Sequence, residues 1–515
     1  MKLPIVKSLH IENFTGTAIT NADYFNKNAI IGEYDDGRMY ATQRPSIDIF
    51  EDASATPGIP EKGRGVYFWH DAGALGDRYI VVDNKVYKGN LSTAIHTISG
   101  GTKPVYFVEM VNWLVILDPE NNEGWYIQNT TPWTTVVQIT AADFPGQSNN
   151  LAEELVAGGA FLDGRLYVAT KTSKIYNSGA NSPVTWNLTT DTISAERESD
   201  IGVYIDKHRD HVVMFGSRTI EFFYNAGNPA GQSPLSRRRD LFHNTGIMQG
   251  DAAWREGDDI YFVGTYPSGP LTVKKLIDFQ VQTISTPEIE TFITNARLKE
   301  KANFVSSGFT AGQRTFYVIT FYRIVGGVIS ASITITFDGI SWSIWESSLC
   351  DCGKFPLIGW SVRSGSDARV GEGIFANGDL LTVSDIFVPV DTLLSSAYIL
   401  TDYVQSGYYI STGGTGNNIE MTVRTGPFDG DTNYWKFGHT LEVVGDESSA
   451  SLNATVKWSD GNSLSFNAGR TVDLSTKQKL TRLGRFKRRN HEVVINIAEQ
   501  YRIEALEMQL TEGDH

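Results

Sequence analysis

His208 and His211, flanked by Asp206 and Asp210, come closest in this chain to a metal-ligand pattern. A zinc site needs three or four protein ligands, and no third stands near in sequence; a solvated turn entering a strand accounts for the group. Cys350-Asp351-Cys352 is a C-x-C without a second pair, which reads as two reduced thiols rather than a metal clip. Glu256, Asp258 and Asp259 supply the side chains that glycoside hydrolysis uses in pairs. Neighbours on a strand point to opposite faces, so Asp258 and Asp259 are badly placed to flank one bond, and turn chemistry explains them. No P-loop, dinucleotide fingerprint or G-x-S-x-G elbow is present. The reading is of a non-enzyme, with no catalytic, cofactor-binding or metal residues and no cofactor.

Cationic clusters are more informative. Lys477, Lys479, Arg482, Arg485, Lys487, Arg488 and Arg489 crowd one short stretch of a chain whose net charge is −15. They read either as the solvated face of a strand or as a contact for an acidic protein or a phosphate. Arg237, Arg238 and Arg239 form a second group inside GNPAGQSPLSRRRD (227–240), which reads as a long loop and a contact arm. All ten are candidate protein-interface residues. The acidic balance of the whole argues against a general nucleic-acid binder, without excluding contact at one patch.

The elements that must position these groups recur along the chain. An apolar strand, a tight polar turn and an aromatic-rich strand appear as RYIVVDNKVYKGN (78–90), NWLVILDPENNEGWYIQN (112–129), GRLYVATKTSKIYNSG (164–179) and DHVVMFGSRTIEFFYNAG (210–227). Looser versions follow at 258–264, 313–327 and 371–383. Starts lie roughly 35–60 residues apart, around the ~40–50 of a β-propeller blade, and the region divides into about seven. A blade cannot bury both faces alone, so the pattern implies sheets ringed about an axis. In the clearest hairpin, Gly216 and Ser217 suit a primed turn, and Ile220, Phe222 and Tyr224 share one face opposite Thr219, Glu221 and Phe223. Trp residues in SPVTWN (182–187) and DGISWSIWE (338–346) are placed to wedge between blades. TFDGISW (336–342) is one residue shorter than the Asp-box turn of some propellers, which is itself structural.

Length and composition agree with an all-β chain. Its 515 residues, 49 of them Gly, suffice for more than one domain with many turns. Two cysteines make no disulfide framework, the first residues carry no apolar leader, and no apolar run reaches the ~18–20 residues of a membrane span. Residues 1–63 read as an irregular N-terminal extension, 64–395 as the propeller, and 396–515 as an antiparallel β-sandwich entered through the Gly/Ser-rich 406–418. The only helix expected is a short one within 141–159.

Six segments then match a known family: NADYF (21–25), RGVYF (64–68), NKVYKG (84–89), FGSRTIEFF (215–223), ISTPEIE (284–290) and TRLGRFKR (481–488). In order and spacing the chain resembles the packaged-DNA stabilisation proteins that form the tail nozzle of short-tailed bacteriophages. It departs at RPSIDIFEDASATPGI (44–59), an expanded version of a compact turn. The resemblance implies a virion tail protein made in the host cytoplasm, forming a homo-hexameric ring below the portal and its adaptor ring. It also implies contact with a tail needle, plug or fibre proteins, and double-stranded DNA passing without sequence-specific binding. The sandwich and N-terminal segment would then form the ring platform. Six copies of a strongly cationic run would clamp phosphate rather than let DNA slide. The run is therefore expected to face the adaptor or a neighbouring subunit, leaving an acidic lumen. An alternative is a receptor- or glycan-binding tail protein that uses propeller loops.

Overall fold

The computed structural model describes residues 2–4, 13–15, 18–21, 25–51, 62–70, 76–146, 153–195, 197–265, 269–298, 303–311, 314–325, 328–346, 357–364, 369–375, 380–383, 390–393, 415–429, 432–446, 452–460, 465–476, 478–497 and 501–513. Strands dominate, and among the described residues seven blade-like groups of strands follow one another from residue 63 to 383, the first five as separate small sheets and the last two as the opposite ends of one larger sheet. Blade 1 is Gly63–Trp69, Asp77–Val82, Lys85–Lys88 and Ala94–Thr97; blade 2 is Tyr106–Met110, Trp113–Asp118, Glu123–Gln128 and Val136–Gln138. Blades 3 to 6 occupy 160–194, 202–243, 246–283 and 303–344. The first strand of blade 7, Leu357–Ser364, packs against both Gly63–Trp69 of blade 1 and Asn303–Ala311 of blade 6, so the ring closes.

Closure uses the N-terminal segment. Ile47–Glu51 pairs antiparallel with Leu380–Val383 and supplies the outer strand of blade 7. Other parts of 1–63 enter the C-terminal body: Ala29–Glu33 and Met39–Gln43 lie in one of its sheets and Phe25–Lys27 in the other. The segment read as an extension thus contributes strands to both bodies. Arg44, fully buried, is its pivot, donating to Asn28 Oδ1 (3.1 Å), Pro45 O (2.8 Å) and Glu346 O (2.9 Å). Of the expanded 44–59 stretch, residues 52–59 lie outside the described residues.

Each blade is held by what lies between it and the next. In blade 4, Phe223 points into the core shared with blade 3, while Ile220 and Phe222 point into the core shared with blades 5 and 6. A fully buried side chain of this size contributes about 1.5–3 kcal/mol, so a strand that is apolar on both faces is stable only between neighbours. Trp186 and Trp342 wedge as their spacing implies, Trp186 edge-on to Phe144 and Trp342 donating to Ile284 O. The 216–219 turn differs from expectation: Ser217 and Arg218 keep negative φ, so it is not primed. Asp200 replaces that geometry by accepting from Ser217 Oγ, Arg218 N, and Thr219 N and Oγ1.

Residues 147–152 of the stretch expected to hold a helix lie outside the described residues, among which one α-helix occurs. It spans Pro287–Leu298, with Thr286 before it, Pro at its first position, and Ile289, Phe292, Ile293 and Ala296 forming its buried stripe. No helix occurs among the described residues of 141–159.

The C-terminal body is a two-sheet sandwich. One sheet runs Leu480–Phe486, Lys436–Gly445, Ile503–Glu512, Met39–Gln43, Ala29–Glu33. The other runs Arg470–Asp473, Asn453–Asp460, Arg489–Ile497, Thr415–Arg424, Phe25–Lys27. Met421, Val456, Val493, Leu441, Ile503 and Met508 fill the space between them. Two ladders join this body to the propeller. Phe25–Lys27 bridges Trp342–Ile344 of blade 6 to Thr415–Arg424, and Val390–Leu393 bridges Ile47–Glu51 of blade 7 to the same strand.

Candidate functional site

Leu480–Phe486 is the edge strand of its sheet, paired on one side with Lys436–Gly445. An ordinary edge strand buries alternate residues, but here Leu480, Leu483 and Phe486 are buried at every third position. The cause is local: Arg482 and Gly484 have positive φ (56° and 75°), and the register shifts between Gly438 and Thr440. The resulting irregularity turns Thr481, Arg482, Gly484 and Arg485 outward together. Bulges and edge charges are the devices that keep an exposed strand from pairing with any passing chain.

Beside it lies an aromatic shelf. Trp435 carries Arg485 (4.8 Å to the ring centre) and Lys487 (5.5 Å), and Tyr434 and Phe437 are nearly half exposed. Lys436 is buried in this shelf, its Nζ donating to Thr432 O (2.9 Å), Tyr434 O (3.1 Å) and Lys487 O (3.4 Å). This lysine, absent from the residues singled out in sequence, ties the shelf to the cationic strand. A fixed arrangement of cations over aromatics, with open donors, suits an acidic or carbonyl-rich protein surface.

The seven cations of the run do not act as one group. Lys477 lies outside the described residues. Lys479 is paired with Glu442 at 2.8 Å. Arg482, Arg485, Lys487 and Arg488 are exposed and make no ion pair with a described residue. Arg489 is buried: it grips Asp460 with two bonds (2.5 and 2.9 Å), donates to Leu483 O (2.7 Å) and lies over Phe486. Beside it His491 is wholly buried, and burial followed by the Arg489 charge pushes its imidazole down to about 3, so it stays neutral.

The second arginine group sits on a strand rather than in a loop. Leu235–His243 pairs with Ile220–Asn225, because Phe223 and Tyr224 face Arg237 and Ser236 across the ladder. Arg237 lies 3.2 Å from Glu221 and donates to Ser194 O; Arg238 forks onto Asp240 (2.9 and 2.8 Å). Arg239 is exposed.

The acids and histidines first weighed for chemistry have structural partners. His208 is buried, its Nδ1–H donating to Asp258 O (2.5 Å) while Nε2 accepts from Phe279 N (3.3 Å), which bridges blades 4 and 5. Desolvation lowers its pKa, in keeping with a neutral ring. Asp259 pairs with Lys275 (2.7 Å), and Glu256 accepts from Thr310 (2.9 Å). Asp338 accepts from Ile340 N and Ser341 N within its own turn and from Ile31 N, so TFDGISW anchors the N-terminal strand to blade 6. Cys350, Asp351 and Cys352 lie outside the described residues.

The propeller axis is filled. Tyr106 of blade 2 donates to Asp251 of blade 5 (3.1 Å) and lies edge-on to Tyr204 of blade 4, although blade 2 neighbours neither around the ring. Burial raises the pKa of the Asp251 carboxyl and of both phenols. A duplex whose major groove alone is about 12 Å wide cannot thread an axis occupied by side chains.

A family model described as Bacteriophage P22 Gp10, β-propeller, of the phage stabilisation class, matches residues 1–365. The chain belongs to this family. It is accordingly a structural bacteriophage protein of a stabilisation family. No curated protein matches the sequence. Among solved structures, streptogramin B lyase aligns with a TM-score of 0.40 at 10% identity, over 65% of this chain and 96% of that one. The computationally designed Ika8 protein aligns at 0.35 and 10%, over 74% and 99%.

Proposed function

We propose that this family member is the subunit of the tail nozzle: a homo-hexameric ring seated on the adaptor below the portal. In this reading it retains packaged DNA and forms the conduit for its exit, with a needle, plug or fibre proteins at the distal end. The observation that carries the reading is the bulged cationic edge Leu480–Phe486 beside the Trp435 shelf, with no described strand on its outer side, on a chain of net charge −15. Such an edge complements an acidic face, and a cyclic ring needs two different, complementary faces on each subunit. The filled propeller axis supports the same arrangement, because DNA would have to run between subunits rather than through any one of them.

Chemistry argues against the edge lining that conduit. Six copies of four free cations would hold phosphate tightly and in a salt-dependent way, whereas a conduit requires sliding. The edge therefore faces the adaptor or the adjoining subunit. Retention is tested with DNA-filled particles assembled without this protein, to which purified chain is added back. The reading expects add-back to suppress DNA release at moderate salt and less so at high salt. Particles that leak equally with and without the chain would contradict it.

A further inference from the structure

We propose that a pocket at the outer strand of blade 4 binds an acidic carbohydrate, with Arg197 and Arg239 receiving its carboxylate. The pocket has a volume of about 1110 Å³ and is lined by Ile193, Arg197, Asp210, His211, Tyr224 and the 236–240 strand. That is room for several sugar rings, beyond a drug-sized site. This assignment is independent of the nozzle reading.

Two of its arginines, Arg197 and Arg239, are exposed and form no ion pair with a described residue. Arg197 lies over Phe242, 3.2 Å from the ring centre, a cation–π contact that restrains its guanidinium. Beneath them Glu221, almost wholly buried, accepts from the backbone N–H of Arg197 (3.1 Å) and lies 3.2 Å from Arg237 Nε. One buried carboxylate thus holds the backbone at Arg197 and the side chain of Arg237. Planar forks of this kind suit a carboxylate, which they take with two parallel bonds.

The remaining lining selects the kind of acid. Asp210 accepts from His211 Nδ1 (2.7 Å), His211 Nε2 accepts from Arg238 (3.3 Å), and Arg238 forks onto Asp240. Asp210 and Asp240 are themselves exposed, so they offer acceptors to hydroxyl groups while repelling a run of carboxylates. Tyr224, over a third exposed, adds an aromatic face with a polar edge. One anionic group among many hydroxyls fits this mixture; a polyacidic peptide does not.

The test is isothermal titration of the full-length chain with 3′-sialyllactose, which carries one carboxylate among many hydroxyls, against neutral lactose and hexa-aspartate. 3′-Sialyllactose is expected to bind saturably, and to lose about tenfold or more in affinity in Arg197→Ala/Arg239→Ala, one lost charge-assisted contact being worth about that much. Arg239→Ala alone, at an exposed position, should weaken binding without changing the melting temperature, which covers a failure of the double variant to fold. No saturable binding, equal binding of lactose, or unchanged affinity in the variants would overturn the proposal. Tighter binding of hexa-aspartate at the same arginines would overturn it too, in favour of a protein partner.

Discussion

The two arginine-rich segments look alike in sequence and behave differently in the fold. On blade 4, Arg237 and Arg238 are answered by Glu221 and Asp240, and the strand that carries them is laid against a neighbour. On the sandwich edge, Arg482, Arg485, Lys487 and Arg488 face solvent with no acid among the described residues to answer them. Arg489, one residue further, is buried and structural. What a cation does is decided by which element turns it inward and which acid meets it. A buried, answered arginine holds a fold together; an unanswered one on a stiff edge is a contact waiting for its partner.

The comparison breaks most sharply at the buried extreme. Arg64 and Asp118 are fully buried at 2.7 Å, and Arg64 also donates to the carbonyls of Asp83, Ser99 and Lys103, which clamps blade 1 to blade 2. Arg64→Met leaves Asp118 uncompensated and should cost about 3–5 kcal/mol, read as a lower denaturant midpoint at unchanged slope. Asp200→Ala, which removes the acceptor of the 216–219 turn, should cost about 1–3 kcal/mol by the same assay.

Acid should discriminate between the bodies. His491 in the sandwich is held neutral, with its pKa depressed to about 3, so the unfolded chain binds the proton more readily. Its stabilising contribution is complete above the ordinary value near 6.5 and declines as pH falls toward about 3, by up to about 1.4 kcal/mol per unit. His491→Gln should flatten the stability profile in that window. For Asp200, burial raises the pKa but hydrogen bonds from Ser217, Arg218 and Thr219 outweigh it; the lowered carboxyl loses its contribution only below about pH 4. Its variant should leave the profile above that pH parallel to wild type.

The smallest effect on stability is expected at the free edge. Arg485→Glu/Lys487→Glu/Arg488→Glu should change stability by under about 1 kcal/mol, since these groups are exposed and touch only the Trp435 shelf. A large loss of stability would mean that the edge belongs with Arg489 and Arg64.

Much of the propeller was legible because its period is physical: apolar on both faces, broken by turns, every few tens of residues. The strand pair at 211–225 and the wedging Trp186 and Trp342 could be read directly. The outer strand of blade 7 could not, since Ile47–Glu51 meets Leu380–Val383 over more than 300 intervening residues with no local signal. The helix at Pro287–Leu298 has a local signal, Ser285-Thr286-Pro287 before an Ile289, Phe292, Ile293, Ala296 stripe, but at about three turns it is short and lies between strands of blades 5 and 6 whose period dominates the region. At the site, charge was visible and partnership was not. Nothing local in RRRD separates a loop from a paired strand, and nothing in TRLGRFKRR foretells that Arg489 alone turns inward.

The central claim is that the free edge docks this chain into a ring on the adaptor. Mass photometry of the adaptor–portal complex, mixed with wild type or with the triple Glu variant, tests it most directly. The account predicts six added copies for wild type and none for the variant at the same concentration. A wild type that ignores the complex, or a variant that adds six copies as readily, would contradict it.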